Sequence, residues 1–184
     1  MLRKGVVGAV GLVMGLVAAP AAADPATQNS IQIGVGFRYG IDLEPGELNP
    51  WGTGLGLDGG ITLPNAVYVG GNFEYFFGST VDTGDIDTSG NLWQLTAEGG
   101  YDIGLGPIFV LRPKVGAGVA GSSFETCDVE GACVDDSSTD FVLAPGASFI
   151  LMPPGFSLSL DVRYAMIFAE RTLNGVIFAA GIGF

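Results

Sequence analysis

The chain closes with the stretch Gly175-Val176-Ile177-Phe178-Ala179-Ala180-Gly181-Ile182-Gly183-Phe184. Large and small apolar residues occupy every second position from Val176 to Phe184, and the positions between them hold Ile177, Ala179 and two glycines. An alternation of period two predicts a β-strand whose two faces differ. One face of this strand is apolar, and the other is built mainly from small residues.

Seven further runs of alternating residues precede this one, which makes eight runs in all. Each is ten to twelve residues long, and a tilted strand needs about 9–11 residues to cross a bilayer. The runs span residues 31–41, 54–63, 67–77, 92–103, 108–119, 141–151, 156–166 and 175–184. The sequence therefore predicts an all-β fold with eight strands.

The connections between these runs alternate between short and long. Short turns at 64–66, 104–107 and 152–155 take turns with polar loops at 42–53, 78–91 and 120–140, and with a shorter loop at 167–174. Short turns on one side and long loops on the other are typical of a membrane barrel. A soluble two-sheet sandwich needs no such asymmetry. We expect an eight-stranded antiparallel up-and-down transmembrane β-barrel.

The outward face of the predicted barrel is apolar, and it carries aromatic residues near both strand ends, as membrane interfaces favour. In the first run the odd-numbered residues from Ile31 to Ile41 form the lipid-facing row. The predicted upper rim holds Tyr39, Tyr75, Phe77, Trp93, Phe141 and Tyr164, and the lower rim holds Tyr101, Phe109, Phe149, Phe156 and Phe184.

The inward face carries nine charged residues: Arg38, Asp58, Glu74, Glu98, Asp102, Arg112, Lys114, Asp161 and Arg163. With strand stagger ignored, all except Asp102 fall at a similar height and form one belt. A charge in a narrow interior must be paired, and eight strands leave room only for side chains. We therefore predict a salt-bridge network that plugs the lumen. The alternative is a narrow ion path, because inward glycines such as Gly34, Gly56 and Gly116 leave space.

The first 23 residues have the features of a cleaved signal peptide. Arg3 and Lys4 precede an apolar stretch, and small residues end at Ala23. The stretch is shorter than a membrane helix and contains several glycines. We expect residues 1–23 to be the signal peptide and residues 24–184 to be a single barrel domain.

The predicted outer loops are strongly acidic. They hold 13 of the 19 acidic residues and one base, Arg171, while removal of Arg3 and Lys4 takes the net charge from −12 to −14. Such a surface attracts cations and basic partners and repels nucleic acid. The simpler interpretation is solubility. Asp82, Asp85 and Asp87 suggest a calcium site, but they lack the full loop pattern and its bidentate glutamate, and we assign no metal site.

The two cysteines, Cys127 and Cys133, lie in one acidic loop. Export through a signal peptide favours a disulfide between them. Free thiols are the alternative. A metal site with two sulfurs would be incomplete, because the chain has no histidine.

The absence of histidine also excludes Ser-His-Asp catalysis. Glu74 and Glu98 could in principle act as an acid and base pair. Ion pairing is the stronger expectation, because arginine and lysine lie on the same belt. We predict neither enzymatic activity nor a cofactor.

In strand count, charged lumen, loop asymmetry and terminal Phe184, the chain resembles the small OmpA-type, OmpX-type and opacity-protein barrels of the bacterial outer membrane. The resemblance implies that the barrel-assembly machinery recognises Phe184 and that the barrel is a monomer in outer-membrane lipid. It also implies a structural or surface-interaction role, in adhesion or envelope integrity, with an extracellular partner that is not identified. Two further functions stay open, a narrow ion channel and a secreted soluble barrel that binds a small ligand.

Two prolines fit the predicted sheet poorly. Pro113 and Pro145 lie within the fifth and sixth runs, and a closed sheet has no edge at which a missing N–H is harmless. Both fall on the lipid-facing side of their strands. We expect a local β-bulge at each.

Overall fold

The computed structural model describes residues 30–43, 50–78, 80–82, 86–128, 133–170 and 172–184. The predicted signal peptide lies outside these residues. In the described part of the chain, no helix is long and apolar enough to cross a membrane.

Ten antiparallel strands make up the described fold, and eight of them close a barrel. The strands are β1 (Ser30–Asp42), β2 (Gly52–Thr62), β3 (Val67–Phe76), β4 (Thr80–Asp82), β5 (Ile86–Tyr101), β6 (Ile103–Gly104), β7 (Phe109–Asp128), β8 (Cys133–Leu151), β9 (Ser157–Phe168) and β10 (Leu173–Gly183). The short strands β4 and β6 pair only with β5 and β7 respectively. Pairing of β1 with β10 and of β5 with β7 completes the ring. The predicted eight-stranded up-and-down barrel is therefore confirmed.

The strands are staggered around the barrel. Starting at Ser30 of β1, the register passes in turn through Thr62, Tyr68, Gly100, Lys114, Gly146, Arg163 and Ile177 to reach Gly40. The path returns to β1 ten residues beyond its starting point, from Ser30 to Gly40. This shear of ten for eight strands corresponds to a strand tilt of roughly 40°.

The outer wall of the barrel is apolar and exposed. Ile31, Phe37 and Leu160 keep 73%, 75% and 61% of their surface accessible. Nine of the eleven predicted rim aromatics are exposed as well, while Tyr75 and Trp93 are partly buried. An exposed apolar surface on this scale requires an apolar surrounding.

Two of the predicted loops are wrong, because strands continue through them. β5 begins at Ile86, and β7 and β8 continue as a paired hairpin as far as Cys127 and Cys133. Together with β4 these segments form a sheet that projects beyond the barrel. The alternation of apolar residues disappears there, because a sheet with water on both faces has no apolar side. Main-chain pairing continues without that signal.

The predicted bulges at the two prolines are also wrong. β5 pairs with β7 as far as Gly100 opposite Lys114, and β6 pairs with β7 from Ile103 opposite Leu111. Two residues are unpaired on each side of this gap, which includes Pro113. Near Pro145, pairing likewise stops at Leu143 and resumes at Gly146. Each proline interrupts the ladder on one side only, since it still faces a residue of the other neighbouring strand. The missing proline N–H is accommodated by a local gap in the hydrogen-bond ladder. Neither strand contains the extra residue that a bulge requires.

Candidate functional site

All nine predicted charged residues lie in the barrel interior and form ion pairs. Successive side chains of a strand alternate between the two faces of the sheet. Charged residues that share a strand, such as Arg112 and Lys114 on β7, are therefore two positions apart. Eight of the nine side chains are at most 8% exposed, and Asp58 is 33% exposed.

Glu74 lies at the centre of a network of seven of these residues. Its carboxylate accepts from the guanidinium groups of both Arg38 and Arg163. The Arg38 Nε to Glu74 Oε1 distance is 2.5 Å, and the Arg38 Nη2 to Asp58 Oδ2 distance is 2.6 Å. Glu74, on β3, therefore joins β1 to β9 across the lumen, and Arg38 extends the connection to Asp58 on β2.

Lys114 and Arg163 complete this network on the other side. Lys114 Nζ lies 3.1 Å from Glu98 Oε2 and 2.8 Å from Asp161 Oδ2. Arg163 Nε lies 2.6 Å from Asp161 Oδ1, and its Nη1 lies 3.6 Å from Glu98 Oε1. The network thus contains four carboxylates and three cationic groups, and its formal charge is −1.

Arg112 and Asp102 form a separate pair. Arg112 donates from Nε and Nη2 to the two Asp102 oxygens, at 2.5 and 2.9 Å. Thr62 Oγ1 donates to Asp102 at 2.8 Å, and the Arg112 guanidinium lies 3.7 Å from the centre of the Tyr68 ring. The sequence placed Arg112 in the belt. Among the described residues its ion pair is instead with Asp102, and its Nη2 also donates to Thr62 Oγ1 at 3.2 Å.

Neutral side chains complete the coordination of the carboxylates. Asn72 Nδ2 donates to Glu98 at 2.5 Å, and Ser148 Oγ donates to Asp161 at 2.6 Å. The amide of Gln94 donates to Glu74. Buried charges are tolerated only when their remaining hydrogen-bonding positions are also filled, and these three residues supply part of that requirement.

Inward glycines provide the room for the arginines. A Cβ on Gly56 would lie 2.6 Å from the Arg38 guanidinium, and one on Gly146 would lie 2.4 Å from Arg163 Cγ. The space that the sequence left open for ions at Gly56 is therefore filled by a side chain.

An apolar layer lies on the loop side of the network. Its buried residues are Trp51, Phe76, Leu92, Ala120, Val142, Ala144, Ala165, Ile167 and Ile177. Sequence reasoning missed Trp51, because strand alternation places odd positions of β2 on the outside. Gly52 has φ of +73°, which reverses the alternation at this point and lets Trp51 point inward. A glycine directly after a tryptophan at a strand start was the available signal.

A cavity of about 60 Å³, with both polar and apolar walls, lies on the opposite side of the network. Asp58, Lys114 and Asp161 line it together with the hydroxyls of Ser148, Ser157 and Ser159. It reaches the first residues of β9 and the last residues of β10, which lie at the barrel end that carries the short turns.

Residues 9–184 match the family described as the outer membrane protein beta-barrel domain. The chain belongs to this family. It is therefore a protein of the bacterial outer membrane, and its exposed apolar wall faces lipid. The soluble ligand-binding barrel considered above is set aside on this ground. A comparison with curated protein sequences found no match.

Solved outer-membrane barrels have a similar fold. Ail of Yersinia pestis, solved in complex with the heparin analogue sucrose octasulfate, has a TM-score of 0.62 and 18% identity, with 84% of this chain and 97% of Ail covered. A major outer membrane protein from Thermus thermophilus has a TM-score of 0.62 and 14% identity, with 84% and 99% covered. The N-terminal barrel domain of Pseudomonas aeruginosa OprF has a TM-score of 0.53 and 17% identity, with 85% and 100% covered. At these identities the likeness concerns the fold.

The remaining predicted site residues lie at the two ends of this outer-membrane barrel. Phe184 extends the pairing of β10 with β1, because its N–H donates to Ile33 O at 2.9 Å and its carbonyl accepts from Ile33 N at 3.1 Å. Its side chain is 75% exposed. Cys127 and Cys133 face each other in the β7–β8 register. Side chains of the suggested calcium segment, residues 82–87, lie outside the described part of the structure.

Proposed function

We propose that this outer-membrane protein is a non-enzymatic, monomeric barrel that presents an acidic sheet to partners outside the cell. In this proposal, residues 1–23 are removed as a signal peptide and residues 24–184 form one domain. In this proposal the lumen is closed and the internal salt bridges stabilise the barrel, so the interaction takes place outside the membrane.

The observation that carries the proposal is the sheet that projects from the barrel. It contains β4 and the outer parts of β5, β7 and β8, and seven acidic residues lie along it: Asp82, Asp87, Glu125, Asp128, Asp135, Asp136 and Asp140. No lysine or arginine lies on these segments. A surface of one charge sign raises the association rate of partners of the opposite sign.

The outer part of β8 is an unoccupied strand edge among the described residues. β8 pairs with β7 from Cys133 onward, but its pairing with β9 begins only at Phe141. The segment between is exposed, and Val134 is 71% accessible. Such an edge can accept an extended segment of another protein as an additional strand. The acidic residues along it disfavour pairing with a second copy of the same chain.

Charge decides the partner class. The heparin analogue in the Ail complex, sucrose octasulfate, is a polyanion, and a sulfated ligand would be repelled by the acidic sheet of this protein. We therefore propose a basic, extended polypeptide segment as the partner.

The proposal is tested by the binding of labelled peptides to the full-length protein in detergent micelles. A peptide of alternating lysine and threonine is expected to bind, with affinity that falls as salt increases. An equally charged peptide with N-methylated backbone amides is expected to bind more weakly, because it has no N–H groups to donate to the strand edge. Equal binding of the two peptides would mean that binding depends on charge attraction only, and it would exclude the proposed pairing with the β8 strand edge.

Matched variants locate the site. Asp136→Asn with Asp140→Asn should weaken binding of the lysine-threonine peptide, whereas Glu170→Gln, in the loop between β9 and β10, should leave it unchanged. Tighter binding of sucrose octasulfate than of the peptide would contradict the proposed partner.

A further inference from the structure

We propose that the apolar layer around Trp51 is the barrier that seals the lumen against ions, and that the lumen beneath it is a blind, hydrated vestibule open to the periplasm. This inference rests on the closed lumen of the proposed function and names the part that closes it. The salt-bridge network then serves to hold the walls together.

Partly exposed inward side chains occur at one place on the turn side of the barrel. At the loop side, Trp51, Phe76 and Ile177 are 0% exposed. At the turn side, Thr62, Tyr68, Val110 and Ile150 are at most 4% exposed. Gln32, Ser157 and Ser159, which line the cavity, are only partly buried. Solvent therefore reaches the interior at the turn side, next to β1 and β9.

Trp51 closes the other end by packing into a recess that is lined by two glycines. A Cβ on Gly40 would lie 2.6 Å from Trp51 Cβ, and a Cβ on Gly175 would lie 2.7 Å from Trp51 Cε2. On another side, the Phe76 ring contacts the indole edge to face, with centroids 5.5 Å apart. The indole thus fills the space between β1, β10 and β3, and Leu92, Val142 and Ile167 from the remaining walls belong to the same layer.

The vestibule below this layer can hold water. Its volume of about 60 Å³ is enough for several water molecules, each of which needs about 10–15 Å³ by this measure. Hydroxyl and carboxylate groups line it, and Asp58 keeps a third of its side chain accessible although it is paired with Arg38.

The two layers oppose ion passage to different degrees. An ion in the network layer meets groups that could replace part of its hydration shell, because the carboxylates and guanidinium groups could exchange partners. Among the described residues, an ion in the Trp51 layer meets hydrocarbon and one indole, and it would lose its hydration without compensation. Apolar constrictions of this kind block ions by excluding water.

Planar-bilayer recordings with full-length protein test the inference. Trp51→Ala should give steady conductance that prefers cations, because the exposed network has an excess of one carboxylate. The only other tryptophan, Trp93, is on the lipid-facing side, and Trp93→Ala should stay closed like the unmodified protein. Lys114→Gln, which disturbs the network and leaves Trp51 in place, should also stay closed.

The outcomes separate this inference from the proposed function. Steady conductance in the unmodified protein would refute the closed lumen itself. If Trp51→Ala migrates in gels as a folded, heat-modifiable barrel but does not conduct, the Trp51 layer is not the seal. Conductance in Lys114→Gln would also overturn the inference.

If Trp51→Ala does not fold, thiol labelling decides. In a Cys127→Ser, Cys133→Ser background, a small charged thiol reagent should modify Ser159→Cys in the vestibule but not Ala144→Cys in the apolar layer. Protection of Ser159→Cys, or modification of Ala144→Cys, would contradict a hydrated vestibule below a dry layer.

Discussion

Glu74 and Arg163, 89 residues apart in the chain, form an ion pair across the full width of the barrel. Their strands, β3 and β9, are separated by the same number of strands in either direction around the ring. Both side chains are almost completely buried, at 0% and 1% exposure. This buried pair therefore connects opposite walls of the barrel.

Replacing Glu74 should strongly destabilise the barrel. Glu74→Ala leaves Arg38 without one of its two carboxylate partners and Arg163 without the partner that spans the lumen. Breaking a buried pair costs roughly 3–5 kcal/mol of unfolding free energy. Denaturant unfolding in detergent measures this, with the exposed Glu170→Gln as control. Similar midpoints for the two variants would mean that the network does not contribute to stability.

Neutralising Arg112 and Lys114 together should lower the unfolding midpoint in detergent. Loss of Arg112 leaves the buried Asp102 without its ion pair. Loss of Lys114 leaves Glu98 and Asp161 with Arg163 as their remaining cationic partner. Exchanging the pair, as Asp102→Arg with Arg112→Asp, should recover part of the stability lost in Arg112→Asp alone. An unchanged midpoint in the double variant would argue against a structural role for these charges.

A methyl group at Gly40 should displace Trp51. The added Cβ would lie 2.6 Å from Trp51 Cβ, whereas a Cβ on the outward Gly99 meets no atom within 4 Å. Overpacking of this kind costs roughly 1–3 kcal/mol. We expect Gly40→Ala to lower the unfolding midpoint and to shift tryptophan emission towards the red, while Gly99→Ala does neither. Identical emission spectra for Gly40→Ala and the unmodified protein would show that the recess around Trp51 accommodates an added methyl group.

Cys127 and Cys133 should form a disulfide in protein isolated from the cell envelope. Residues directly opposite on paired strands have Cβ atoms about 4.5–5.5 Å apart, which is close to the geometry that a disulfide needs, and these two residues are opposite each other. Mass spectrometry of the unreduced protein should give a mass lower by two hydrogens than after reduction. Alkylation of both thiols without a reductant would contradict the prediction.

Much of this architecture follows from the sequence, because strand alternation is a local property. Eight runs of period two located the barrel strands, and the same parity placed all nine charged residues on the inward side. The terminal run ending at Phe184 and the loop asymmetry were enough to predict an outer-membrane barrel. The projecting sheet was missed, because polar residues on both of its faces leave no alternation of apolar residues.

Strand alternation could not predict which inward-facing residues contact one another. Which charges meet depends on the shear of ten, which shifts every strand relative to its neighbours, and alternation along one strand carries no information about that shift. Arg112 therefore pairs with Asp102 apart from the network. The apolar layer depends on a backbone reversal at Gly52 together with glycine positions on two other strands. The sequence by itself determined which face each strand residue occupies, because that choice is made within one strand. Only the closed barrel decided which residues touch, because contact across the lumen depends on the stagger and curvature of all eight strands together.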